Sequence, residues 1–116
     1  MSNKLSQSSC EACRVDAPML TDQEIKELAP LIPSWIVHEE EDIKRLICSF
    51  AFSSYEDSVS FTNKVAQLAE EEDHHPEIIL EWGNVTVSWW SHKIKGLHKN
   101  DFICASKTDN LFKESK

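Results

Sequence analysis

Phe61, Val65, Leu68 and Ala69 recur at i, i+4, i+7 and i+8. That period predicts a long helix over residues 55–72, with one apolar stripe aimed at a sheet and a polar outer face. Ser54 is the nearest cap for its first turn. A period of two flanks it on both sides. Leu46, Cys48, Phe50 and Phe52 alternate onto one face of a strand over residues 43–52. Val85, Val87 and Trp89 do the same over residues 85–90, with Thr86, Ser88, Trp90 and His92 on the opposite face. Each of these strands follows a shorter one. Residues 35–39, with Trp35 and Val37 on one side, turn through the acidic Glu39-Glu40-Glu41-Asp42 into the first hairpin. Residues 78–82 turn through Gly83-Asn84, a pair suited to a primed two-residue loop, into the second.

Two more helices complete the pattern. Thr21-Asp22-Gln23-Glu24 has the form of a capping box, and Ile25, Leu28 and Ala29 supply one apolar face before Pro30 and Pro33 end the helix. The last helix covers residues 99–112, with His98 standing where a Ser or Thr cap is usual. Its inner stripe of Phe102, Ala105 and either Asp109 or Leu111 is imperfect. The predicted order is α-β-β-α-β-β-α. Hairpins rather than crossovers make this an α+β domain: a four-stranded antiparallel sheet with helices on one face. Residues 1–20, polar and without periodicity, read as a flexible tail, and residues 21–116 as a single domain.

Charge and cysteine content narrow the function classes. With 12 basic and 20 acidic side chains the 116-residue chain carries a formal charge of −8, which sets direct nucleic-acid binding aside. No apolar run reaches the length of a membrane span and no secretory signal opens the chain, so the cytoplasm is expected. Cys48 and Cys104 lie in apolar patterns and read as core thiols. Cys10 and Cys13 lack the second close-spaced pair that a zinc ribbon needs.

Chemistry concentrates between Glu70 and Asp101, which holds His74, His75 and His92. The long helix ends in Glu70-Glu71-Glu72-Asp73, where the helix dipole disfavours negative charge. Pro76 forces His75 out of helical geometry, so the helix stops by His74 or His75. Glu70 and His74, four apart, are expected to share a face, with the carboxylate orienting the ring. His92 closes the second hairpin and returns towards the residues after Pro76. Three imidazoles at one end of a sheet suggest a general acid–base site or a metal site, and standard metal-ligand spacing is missing. Asp101, in the first turn of the last helix, is expected to cap it and to border the site. His38 and His98 read as ordinary surface or cap residues.

The composite spacing Glu70-x3-His74-His75-Pro76-x5-Trp82-x9-His92-x8-Asp101 resembles that of the pterin-4a-carbinolamine dehydratases, also called the dimerisation cofactor family. Phe50-x-Phe52, Phe61, Val65-Ala66 and Gly96-Leu97 extend the resemblance over residues 21–112. The Cys10-Glu-Ala-Cys13-Arg tail is similar to that of bacterial members accompanying phenylalanine hydroxylase. The chain departs from the family at His98, where Thr is usual, and at Trp89-Trp90, where Leu and a small polar residue are usual. The resemblance implies dehydration of 4a-hydroxytetrahydrobiopterin to quinonoid dihydropterin, in recycling the cofactor of aromatic amino acid hydroxylases. His74, His75 and His92 would be catalytic, with Glu70, Pro76, Trp82 and Asp101 supporting or binding substrate. The pterin is then the substrate, and no metal or other cofactor is implied. Homodimers or homotetramers are also implied. An alternative is a non-catalytic module that stabilises a regulatory protein's dimer, as animal members do for a homeodomain factor.

Overall fold

The computed structural model describes residues 19–114. Expectations about the tail before Met19, Cys10 and Cys13 among them, lie outside the described residues. The elements follow in the order α1 (Asp22–Leu28), β1 (Ile36–Glu40), β2 (Ile43–Ala51), α2 (Tyr55–Glu72), β3 (Glu77–Glu81), β4 (Asn84–Trp89) and α3 (Lys99–Glu114). A single 3-10 turn over Ala29–Leu31 follows α1. All pairings are antiparallel and the strand order is β1-β2-β4-β3. The α+β class, element order and four-stranded sheet agree with the periodicity.

The sheet order has a packing cause. β2 and β4 carry the two most apolar inward rows, so pairing Leu46 with Trp89, Cys48 with Val87 and Phe50 with Val85 places both rows at the centre. All six side chains are buried. α2 covers them with Phe61, Val65, Leu68 and Ala69, and α3 with Phe102, Ile103 and Ala105. Phe50, Phe52, Phe61 and Phe112 form an aromatic cluster with centroids 4.9–5.9 Å apart, joining β2 to both helices. Burying one such ring contributes roughly 1.5–3 kcal/mol. No helix among the described residues is long and apolar enough to cross a membrane.

The caps form as their residues dictate. Thr21 and Glu24 make both halves of the capping box, and Ser54 Oγ accepts from the Asp57 amide. His98 does replace a hydroxyl cap, since its Nδ1 accepts from the Asn100 amide at 3.2 Å.

Three local expectations are corrected. The second hairpin turns on Trp82-Gly83 rather than Gly83-Asn84, because Asn84 pairs with Glu81 and only Gly83 (φ 73°) of the two turn residues takes positive φ. The primed turn belongs to the first hairpin, where Glu41 and Asp42 have φ of 53° and 65°. Trp35 precedes β1 instead of beginning it. Its buried indole donates from Nε1 to Asp109 Oδ1 at 2.9 Å, whereas Val37, on an edge strand, stays exposed.

Burial raises the Asp109 carboxyl above the ordinary carboxylate range, against the lowering effects of the Trp35 hydrogen bond and Lys113. A raised native value means that the unfolded chain ionises first, so this group's contribution to stability falls as pH rises through that range. Asp109→Asn keeps an acceptor for Trp35 and removes the charge. Thermal unfolding is expected to show the variant as stable as the parent or more so at pH 7, with the difference vanishing near pH 3. Cys48 is likewise pushed up, to about 11, by burial.

Candidate active site

The end of α2 decides the geometry. Asp73 enters the left-handed region (φ 51°, ψ 42°) and its amide bonds back to Ala69 and Glu70, so the helix stops at Glu72. His74 therefore lies off the helical register and does not share a face with Glu70, as the i, i+4 spacing implied. Its ring turns inward instead. His74 is 7% exposed, lies parallel to the buried Trp89 indole, and approaches Asp101 Oδ1 with Nε2 at 2.6 Å. Glu70 pairs with the next residue: its Oε2 lies 2.6 Å from His75 Nε2, both side chains being exposed. Two other acidic residues of this helix end also have roles. Glu72 bonds to Lys107 of α3 at 2.9 Å, and Asp73 makes the cap.

His92 follows a loop base closed by two hydrogen bonds between Ser91 and Gly96. Glycine suits position 96, because a Cβ there would lie 2.9 Å from the Met19 sulfur and force that side chain to move. His92 Nε2 donates to the His75 carbonyl oxygen at 3.1 Å, which brings the two exposed histidines together at one end of the β3–β4 hairpin. Carbonyl and carboxylate oxygens only accept here, so Nε2 carries the hydrogen in both rings. Nδ1 of each ring is then the nitrogen left to act as an acceptor. The His92 ring stacks on Trp90 at 4.4 Å, and the Arg45 guanidinium lies 4.1 Å over the same indole. Pro76 holds the chain extended between His75 and β3.

Asp101 is fully buried. Its Oδ1 meets His74, while Oδ2 accepts from Ser91 Oγ and from the His98 amide, each at 2.9 Å. His74 precedes His75 and Ser91 precedes His92, so one carboxylate fixes the backbone leading into each exposed ring. It also caps α3, as its place in the first turn suggested.

Trp82 is not brought to this end. It occupies the hairpin turn, 71% exposed and separated from His75 by the whole of β3, roughly 20 Å along an extended strand. Arg45, Ser91 and the stacking role of Trp90 escape a reading of the sequence. The single cue for Arg45 is a cation in an alternating strand, which periodicity reads as a solvated position. Among the described residues no three His, Cys, Asp or Glu side chains are grouped to hold a metal ion.

The family profile described as pterin 4 alpha carbinolamine dehydratase matches residues 18–111. A Nitrosococcus oceani protein named "Putative pterin-4-alpha-carbinolamine dehydratase" is 55% identical over 109 residues, covering 94% of this chain and 96% of that one. Among solved structures, a transcriptional coactivator/pterin dehydratase from Brucella melitensis superposes with a TM-score of 0.73 at 26% identity, over 81% of this chain and 98% of that one. A pterin dehydratase-like protein identified as a RuBisCO assembly factor in the alpha-carboxysome gives 0.58 at 25% identity, over 67% and 88%.

Proposed function

The chain belongs to the pterin-4a-carbinolamine dehydratase family, and on that basis we propose that it converts 4a-hydroxytetrahydrobiopterin to quinonoid dihydropterin and water by histidine acid–base catalysis. The observation that supports this reading is the meeting of His75 and His92 at one exposed end of the sheet, each held through Nε2. The reaction breaks the C4a–O bond, protonates the departing hydroxyl, removes the N5 proton and forms the C4a–N5 double bond. It requires one donor and one acceptor of protons near neutral pH, and imidazole serves as either.

The partners of the two rings suggest a division of labour. His75 has a carboxylate beside it, a counter-ion for an imidazolium, and is assigned the proton donor to the leaving oxygen. His92 is held by a carbonyl dipole alone and is assigned the acceptor for the N5 proton. His74 and Asp101 act through backbone position, which makes them positioning residues. Both reactive rings are exposed, so protons exchange with water between turnovers. The step moves protons only, and the proposal includes no metal or other cofactor. The setting proposed is the cytoplasm, recycling the pterin of an aromatic amino acid hydroxylase such as phenylalanine hydroxylase.

Stopped-flow dehydration of chemically generated 4a-hydroxytetrahydropterin tests the reading. Acceleration over the spontaneous reaction, unchanged by a chelator, is expected. A folded chain that gives no acceleration defeats it and leaves the second reading, a dimer-stabilising binding module, which the roles named for the two solved relatives favour.

An oligomer joined along sheet edges is also proposed. Among the described residues β1 and β3 leave both edges of a small sheet unpaired, with Ile36 62% and Ile79 48% exposed on them. Light scattering is expected to give a dimer or tetramer at micromolar concentration, and a monomer there would reject it.

A further inference from the structure

Arg45 is the feature of the site that the proton chemistry leaves unused. Its neighbour Leu46 points into the core opposite Trp89, so Arg45 lies on the outer face of the sheet, the face of Trp90. Its guanidinium and the His92 ring both lie within 4.4 Å of the Trp90 ring. They reach it from opposite flanks of β4. Arg45 comes from β2, whereas His92 is tied to the His75 carbonyl just before β3. Both groups therefore pack on one indole, and the guanidinium carbon lies no more than about 8.5 Å from the centre of the His92 ring.

The donors of this guanidinium are poorly employed. Its side chain is 14% exposed, and among the described residues the carboxylate oxygen paired with it, Glu40 Oε2, stands 3.7 Å from Nη1, beyond hydrogen-bond reach. Arg45 Nε is buried and, among the described residues, has no hydrogen-bond partner. An unpaired buried N–H is costly, and native sites retain one where something else satisfies it. A lysine would be a point charge, whereas a guanidinium can lie flat on the indole with its donor edge in a fixed plane.

The substrate of the reaction proposed above fits this distance. C4a, where the histidines act, and C6, which bears the substituent, are separated only by N5. A hydroxylated three-carbon substituent on C6 places its oxygen atoms roughly 4–6 Å from N5, the atom assigned to His92, so a hydrogen bond to Arg45 falls within this span. We propose that Arg45 is a specificity-determining residue that donates hydrogen bonds to oxygen atoms on the C6 substituent. It thereby favours hydroxylated side chains over plain alkyl ones, with Trp90 as the surface on which Arg45 and His92 are both held. The assignment rests on the dehydratase reading for the identity of the ligand.

Equilibrium binding separates the two ideas. Tryptophan-fluorescence titrations with two stable probes, 6-(dihydroxypropyl)pterin and 6-methylpterin, measure the preference directly. The parent protein is expected to bind the hydroxylated probe about tenfold more tightly, the effect of one hydrogen bond to a charged donor. Arg45→Met should abolish that preference while leaving affinity for 6-methylpterin within about twofold. Arg45→Gln serves as a second variant that keeps side-chain donors, and is expected to retain a reduced preference. Equal weakening for both probes would show that Arg45 merely props Trp90, and no preference in the parent would overturn the proposal outright. A protein that shows the preference but does not dehydrate the pterin keeps the Arg45 assignment and loses the reaction. Turnover without preference does the reverse.

Discussion

A chain carrying both His75→Ala and His92→Ala is expected to fold normally and to have almost no dehydratase activity. In the mechanism proposed each ring supplies one of the two proton movements, and a positioned acid or base is worth roughly 10²–10⁴-fold. The single variants should fall towards the lower end of that range, because the N5 lone pair helps expel the hydroxyl when one partner is missing. With both gone, neither movement has a positioned partner. Folding should survive, since both side chains are exposed and the double change removes only the Glu70 pair, the bond to the His75 carbonyl and the Trp90 stack. Glu70→Gln should be milder than His75→Ala, as it disturbs the counter-ion and not the proton carrier. His38→Ala, in edge strand β1, is the control and should match the parent. Stopped-flow rates on variants shown by circular dichroism to be folded decide the matter. A folded double variant turning over at the parental rate would sink the mechanism.

Asp101→Ala should be the most destabilising single change near the site. It removes a fully buried acceptor of three groups: the His74 ring, the Ser91 hydroxyl and the His98 amide. Depriving a buried hydrogen-bonding group of its partner costs roughly 1–3 kcal/mol, and Asp101 serves three such groups. That is a large part of the roughly 5–15 kcal/mol expected for a folded domain. Urea unfolding should show the midpoint falling with little change in slope. The folded fraction should also turn over more slowly, because Ser91 and His74 lead directly into His92 and His75. Ser91 alone offers a finer probe: Ser91→Ala removes a single bond and should cost about 1 kcal/mol. An Asp101→Ala protein as stable as the parent would show that the carboxylate is not the hub described.

Much of the candidate site's membership can be proposed from the chain and little of its wiring. His75, His92, Glu70 and Asp101 stand out because imidazoles and carboxylates crowd a helix end and a strand end. Their pairing does not. The i, i+4 rule joins Glu70 to His74 only if the helix continues through both. A left-handed Asp73 ends it before His74 and hands Glu70 to His75. Trp82 is the opposite case, a residue that fits a spacing yet lies at the far end of its hairpin. Arg45 is hidden because alternation marks it only as outward-facing. Nothing in the local sequence joins it to Trp90, which the β2–β4 pairing brings alongside.

The elements and the face each one buries follow from the amino-acid order alone. They depend on periods of 2 and 3.6 and on caps such as Thr21 and Ser54, all of which act over a few residues. Which groups meet is settled only by the folded chain. The order β1-β2-β4-β3 and the contacts of His74 with Asp101, Ser91 with Asp101, and Arg45 with Trp90 each join residues well separated in sequence. Local patterning carries no information about such distances. They are set when the inward rows of β2 and β4 are buried together and α3 packs against α2 and β4, because only that packing joins a fully buried carboxylate to the residues that precede two exposed histidines.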